Sequence, residues 1–322
     1  MSHSPTTLRS RTLGRSGVPI TELVLGTAAL GHLYTPVEDD QAHAAVDTAW
    51  DVGVRAFDTA PHYGLGLAER RLGAALADRP RDTYVVSTKV GRLLIPGDGG
   101  QEPRRVWDFS ADGVRRSLEE SLTRLGLDRV DIAYLHDPDG HEEQALAEAY
   151  PALEKLRAEG VVRAIGAGMN QTAMLTRFVR DTDVDVVLCA GRHTLLDPGA
   201  RADLLPAAQR HGVAVLVGGV YNSGLLADPR PGATYDYTEA PRALVGRALR
   251  LKEAAERHGT TLRAAALAFA AAPDAVTALV MGARSAAEVH DFVRQFRAAR
   301  DVPPSLWSEL VERGLLAETD DR

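Results

Sequence analysis

The feature that most constrains this chain is an alternation: eight short apolar runs, each followed by a longer segment with helical spacing. The runs are ELVLGTAA, VRAFDTAPHYG, TYVVSTKVG, VDIAYLHDPD, VVRAIGAGMN, VDVVLCAGRH, VAVLVGGVYNSG and VTALVMGARS. They are almost continuously apolar, as strands must be when helices cover both faces of a parallel sheet. The segments between them, such as LAERRLGAALAD, GVRRSLEESLTRLGL and DLLPAAQRHG, repeat apolar residues at three and four. Several end at Gly, which takes the left-handed conformation that stops a helix.

A length of 322 residues suits either two average domains or one large barrel. Eight strand–helix repeats predict the barrel: an α/β fold of the (β/α)8 TIM type, one domain over 1–322. A doubly wound sheet would carry G-x-G-x-x-G after its first strand, but Thr27-Ala28-Ala29-Leu30-Gly31 stands there. Residues 11–20 read as an N-terminal hairpin, 1–10 as a flexible terminus, and PPSLWSELVERGLL as an extra C-terminal helix. LKEAAERHGTTLRAAALAFAA reads as a single helical segment before the eighth strand. The connections 91–109 and 227–241 are long. Both follow strands, on the face where barrels build active sites, and both suit lids.

Composition removes several classes. Net charge is −7 with no basic block, which argues against nucleic-acid binding. No run of about 18 apolar residues is available to span a membrane, and MSHSPTTLRSRTLGRSG lacks the apolar stretch of a secretory signal. Cys189 stands alone, so neither an intramolecular disulfide nor a thiolate metal cluster is expected. The expectation is a cytoplasmic monomer or small homo-oligomer with no metal and a small-molecule partner.

On a barrel, polar residues at strand ends are the informative ones. The second run ends in Asp58 and Tyr63, the third at Lys89, and the fourth at His136. Carbonyl reduction needs a proton donor beside the hydride acceptor, which Tyr63 can supply. Its ordinary pKa of about 10 is high for that work; a neighbouring Lys89 ammonium would lower it, Asp58 would keep Lys89 charged, and His136 could orient the substrate oxygen. Taken singly, each also suits a plain structural role: a loop cap, a packed aromatic, a core histidine. Their placement at successive strand ends favours chemistry.

FDTAPHYGLGLAERRLGAAL, STKVGRLL, WDFSADGVRRSLEESLTRLGLDRVDIAYLHDPD and GARSAAEV, in this order over nearly the whole chain, resemble the aldo-keto reductase superfamily. The resemblance implies a catalytic tetrad of Asp58, Tyr63, Lys89 and His136. HDPD, GRLL and the AGR-x-TLLD segment are similar to the branch of L-fucose (D-threo-aldose) 1-dehydrogenases and pyridoxal 4-dehydrogenases. It implies an NAD(P) cofactor, with Asn170 near the nicotinamide carboxamide. The positions of a family glutamine and a stacking tyrosine fall on Ala190 and Gly218. Thr27, Tyr221, Asn222, Ser223 and Leu225 are placed along the cofactor. Gly282, Arg284 and Ser285 open the last helix, where N–H groups suit a phosphate. Arg284 favours the 2′-phosphate of NADP and Glu288 opposes it; the reading taken is NADP, with NAD as the alternative. Substrate candidates are Tyr34, Trp107, Arg192 and His193, beside His32 and Phe109. Trp107 could stack on a sugar or pyridine ring, and Arg92 reads as a solvated loop residue before it reads as an anion contact.

The function expected is NAD(P)-dependent hydride transfer to or from a small carbonyl or sugar, an aldose 1-dehydrogenase or a general aldehyde and ketone reductase. Two rivals remain: a Schiff-base aldolase using Lys89, and a non-catalytic barrel that senses nucleotide.

Overall fold

The computed structural model describes residues 8–97, 99 and 101–317. Residues 1–7 of the expected flexible terminus lie outside that set; beyond them Leu8 is buried and Ser10 already begins a strand. Ser10–Leu13 pairs antiparallel with Val18–Thr21, and Ser16 Oγ donates to Leu13 O while accepting from the Val18 amide.

Eight parallel strands follow: β1 Leu23–Gly26, β2 Ala56–Asp58, β3 Val85–Val90, β4 Ile132–His136, β5 Ala164–Met169, β6 Val186–Ala190, β7 Ala214–Gly218 and β8 Val276–Gly282. Each pairs with its neighbours in sequence, and β8 closes on β1. The two faces of each strand enter separate cores. Val24, Val85, Ile132, Tyr134 and Leu216 fill the barrel interior together with Leu13, Val18 and Ile20 of the hairpin, which plugs its N-terminal end. Phe57, Val86, Leu135, Ile165 and Val215 face outward onto the helices. Each fully buried side chain of this size contributes about 1.5–3 kcal/mol.

The helices are α1 Asp39–Asp51, α2 Leu67–Leu76, α3 Ala111–Leu125, α4 Tyr150–Ala158, α5 Thr172–Asp181, α6 Leu204–His211, α7 Arg242–Arg257, α8 Leu262–Ala271, α9 Ala286–Ala298 and α10 Pro304–Glu312. Local chemistry sets their ends. Ser110 caps α3 by accepting from the Gly113 amide, and Gly126 closes it in the left-handed region.

One helical reading needs correction. LKEAAERHGTTLRAAALAFAA is not one helix. It breaks after Arg257, where Gly259 turns at φ +71° and Thr261 caps α8 afresh. The segment before α4 winds as a π turn over Ala145–Ala149. The long connections carry strand pairs among their described residues. The third-strand loop folds Arg92–Ile95 against Arg104–Trp107, and the seventh folds Thr234–Tyr235 against Thr238–Glu239. At the tip of the latter, Asp236 and Tyr237 both take positive φ, as a tight two-residue hairpin turn requires.

Buried carboxylates tie the lower rim. Just before β4, Asp131 accepts from the Val86 amide and Arg81; just before β6, Asp185 accepts from the Ile165 amide and Arg157. Among the described residues no helix is long and apolar enough to cross a membrane.

Candidate active site

The C-terminal ends of β2, β3 and β4 bring Asp58, Lys89 and His136 to one rim, with Tyr63 on the turn after β2. That turn is fixed by a close backbone approach. Gly64 has φ +60°, and a Cβ there would lie 2.7 Å from Gly31 O; a Cβ on Gly31 would lie 2.7 Å from the Tyr63 carbonyl carbon. Only glycines let the loops after β1 and β2 touch in this way, and the contact locates Tyr63.

Lys89 Nζ donates to Asp58 Oδ2 at 2.6 Å and to Thr59 O at 2.9 Å, and lies 4.8 Å from the Tyr63 ring centroid. Asp58 Oδ1 also accepts from Ser87 Oγ at 2.7 Å. Both members of the pair have side chains only 3% exposed. Burial opposes the ammonium, but the Asp58 carboxylate and Tyr63 outweigh it and hold the Lys89 pKa above its ordinary value. Lys89 is therefore a fixed cation and not the neutral amine that Schiff-base chemistry needs.

Tyr63 differs from expectation. Burial pushes its phenol above the usual value by more than the Lys89 ammonium pulls it down, so the net shift is upward. At neutral pH it carries its proton. The His136 ring stands perpendicular to Tyr63, with centroids 5.9 Å apart. Burial, then the Lys89 and Arg92 charges, depress its pKa well below the ordinary value, so it is neutral. His62, which sequence reasoning passed over, stacks edge-on against His136 at 5.7 Å and is held neutral by burial and Arg92, with a pKa near 4. A protonated phenol and a neutral imidazole over a fixed cation can hydrogen-bond a carbonyl oxygen and deliver a proton to it.

Other expected residues divide. Asn170 lines the mouth after β5. Its amide and that of Asn222 converge on Gly191, where a Cβ would lie 3.9 and 3.7 Å from their nitrogens. Asn222 Nδ2 donates to Gly191 O, while its Oδ1 is buried without a partner. An orphaned acceptor beside a second amide fits a carboxamide, which has both a donor and an acceptor to offer, so the residues present suit a nicotinamide. Ser223 adopts φ +56° and its Oγ accepts from the Tyr237 amide. Tyr221 packs on Phe292 of α9. Gly218 is walled by Leu188, Val280 and Ala190, and Gly282 opens to free space. Thr27 and Leu225 do not reach the surface. Thr27 is buried with Oγ1 donating to Asp58 O, and Leu225 lies in the apolar cluster under the seventh loop.

At the N-terminus of α9, Ser285 Oγ accepts from the Glu288 amide. Glu288 in turn accepts from the Arg284 amide at 2.8 Å and from its guanidinium at 2.5 Å. Arg284 thus already holds an anion, supplied by its own helix.

Of the substrate expectations, His193 is corrected, while Arg192 and Trp107 are found already engaged by neighbours. His193 is 0% exposed, stacked on Phe269 in the helical layer with neither ring nitrogen hydrogen-bonded, because β6 turns it away from the mouth. Arg192 is engaged by Asp236 at 2.7 Å and Asp197 at 3.6 Å, pinning the seventh loop. Trp107 is 42% exposed and lines the cavity after β3, with the Arg92 guanidinium 4.0 Å from its ring centre and His141 and Phe109 packed nearby. Phe109 is buried under Gly91, and His32 Nδ1 accepts from the Val37 amide. Tyr34 does reach the mouth, stacked on Tyr237 of the seventh loop at 6.1 Å. Arg92 is not solvated; it is paired with Asp137.

A closed parallel barrel whose strand-end lysine is ion-paired beneath a tyrosine and beside a neutral histidine defines an oxidoreductase site for carbonyl chemistry. The sequence profile of the Aldo/keto reductase family matches residues 22–302, and the chain belongs to that family: it is a nicotinamide-dependent oxidoreductase. It is 43% identical to a D-threo-aldose 1-dehydrogenase of Pseudomonas sp over 94% of this chain and 96% of that one. It is 37% identical to a pyridoxal 4-dehydrogenase of Microbacterium luteolum over 95% and 98%. Among solved structures, the holo form of an aldo-keto reductase from Bacillus halodurans superposes with a TM-score of 0.79 at 25% identity, over 98% of this chain and 99% of that one.

Proposed function

We propose that the chain oxidises a neutral aldose at its first carbon, as an aldose 1-dehydrogenase of the L-fucose or D-threo-aldose kind. The observation that carries this is the buried Lys89–Asp58 pair set against Tyr63 and His136; the relative named for aldose 1-dehydrogenation supports the substrate class. The nicotinamide, when bound, accepts or returns the hydride. Tyr63 takes the sugar hydroxyl proton in oxidation and gives it back in reduction. Lys89 fixes the field at that phenol, Asp58 holds Lys89, and neutral His136 orients the oxygen. Asn170 and Asn222 hold the carboxamide side, and the α9 N-terminus holds the adenosine side.

The sequence reading favoured NADP, and the Arg284–Glu288 pair moves the proposal to NAD. A 2′-phosphate would have to displace the Glu288 carboxylate from Arg284 and then face it as a like charge. A cytoplasmic protein acting as a monomer or small homo-oligomer completes the reading. The test is nucleotide absorbance with NAD and NADP run separately, on L-fucose, D-arabinose, L-galactose and pyridoxal, then on small aldehydes with reduced nucleotide. Sugar-dependent reduction of NAD is expected. Activity with aldehydes alone would replace the aldose by a general carbonyl substrate, and tight nucleotide binding without turnover would favour the sensor.

A further inference from the structure

Arg92, Asp137 and Trp107 form a unit that the tetrad does not use. Asp137 follows His136 at the end of β4 and sits at φ +42°, a left-handed conformation that few residues besides glycine, asparagine and aspartate adopt. Its carboxylate pairs with the Arg92 guanidinium. The Arg92 side chain is 13% exposed, its guanidinium 4.0 Å from the Trp107 ring centre, with its Nε buried and unpartnered. The three residues line a cavity of about 340 Å³ with Asp139, His141 and Asn170, so it opens at the active rim. Asp137 Oδ2 lies 3.8 Å from His136 Nε2, on the residue that orients the reacting oxygen in the proposed chemistry.

That spacing has a chemical meaning. Oxygens on neighbouring carbons of a sugar lie roughly a hydrogen-bond length apart, so one at His136 puts the next at Asp137. The pair offers an acceptor and a donor with no net charge, which suits a neutral hydroxyl. An anionic sugar would find Arg92 already neutralised and Asp139 close by.

We propose that the Arg92–Asp137 pair is the specificity-determining contact for the hydroxyl on the carbon next to the reacting one, selecting neutral 2-hydroxy aldoses over analogues that lack it. This rests on the aldose reading above and deepens it. Trp107 acts as a positioning residue, holding Arg92 over its ring.

The test compares L-fucose with 2-deoxy-L-fucose in wild type, Asp137→Asn and Arg92→Met. Asparagine tolerates the left-handed backbone, and nucleotide affinity of each variant reports its folding. Both variants should lose about 10- to 100-fold in kcat/KM on L-fucose, the range of one hydrogen bond to a charged group. On the deoxy sugar they should stay within about twofold of wild type, since the contact is already absent there. Equal losses on both sugars would overturn the proposal and assign the pair to the chemistry of His136; no loss on either would also overturn it. Arg92→Met keeps the question open to refutation if Asp137→Asn fails to fold. Should wild type oxidise no aldose, the proposed substrate class falls and this inference with it. Aldose oxidation with indifferent variants would overturn the inference alone.

Discussion

Replacing Asp58 with Asn tests whether the buried pair beneath Tyr63 is the support of the site. Asp58 Oδ2 and Lys89 Nζ are 2.6 Å apart, and each side chain is 3% exposed. At an effective dielectric of about 20 that separation corresponds to roughly 6 kcal/mol of attraction. Removing one partner of a buried pair costs about 3–5 kcal/mol, because the other charge stays desolvated. Asp58→Asn should therefore lose about 3–5 kcal/mol of stability at pH 7. The pH dependence carries the sign. In wild type the Lys89 pKa is raised, so the pair's contribution is fully present below the unfolded-state value and is lost only as pH climbs through the folded one. In the variant burial, the largest influence on Lys89, is opposed only by Tyr63 and the Thr59 carbonyl, and the pKa is expected to fall below the unfolded value. The unfolded chain then binds more protons, and stability rises with pH. Urea unfolding followed by tryptophan fluorescence at pH 7 and pH 9 measures both effects. Asp58→Asn combined with Lys89→Met should regain most of the stability and remain inactive. A loss under about 1 kcal/mol at pH 7, independent of pH, would refute the reasoning.

Two further expectations follow from the same geometry. Because burial raises the Tyr63 pKa and His136 is held neutral, kcat/KM for oxidation should climb steadily from pH 6 to pH 9 while reduction stays flat, with no inflection near the ordinary histidine value of about 6.5; a break there would transfer the titration to a histidine. Glu288→Gln should free Arg284 and raise the NADP-to-NAD ratio of kcat/KM about tenfold, or about 1.4 kcal/mol; an unchanged ratio would contradict the placing of the 2′-position at α9.

Much of this was legible from residues alone, for identifiable reasons. The barrel could be read because the strands are buried on both faces, leaving continuous apolar runs such as VVLCA. Asp58, Lys89 and His136 could be found because polar side chains at the ends of such runs have only the mouth to occupy. Spacing does not report what meets across the fold. Nothing in AGRHT says that Arg192 will be pinned by Asp236 while His193 turns into the helical layer against Phe269. Nor does STKVGR show that Gly91, at φ +94°, folds Arg92 back to reach Asp137 and Trp107; the signal was an aspartate directly after the strand-four histidine. Lys89 was expected to lower the Tyr63 pKa, and charge proximity was read correctly, but burial depth is a tertiary quantity and it outweighs the lysine.

The central claim is that Tyr63 moves the proton over the Lys89–Asp58 pair. The most direct measurement is single-turnover kinetics of Tyr63→Phe with the sugar and nucleotide that wild type uses, beside its nucleotide dissociation constant. Turnover should fall by about 10²- to 10⁴-fold, the usual worth of a positioned acid–base group, while nucleotide affinity stays within about twofold, because the phenol makes no part of the proposed cofactor contacts. Turnover within tenfold of wild type would contradict the account.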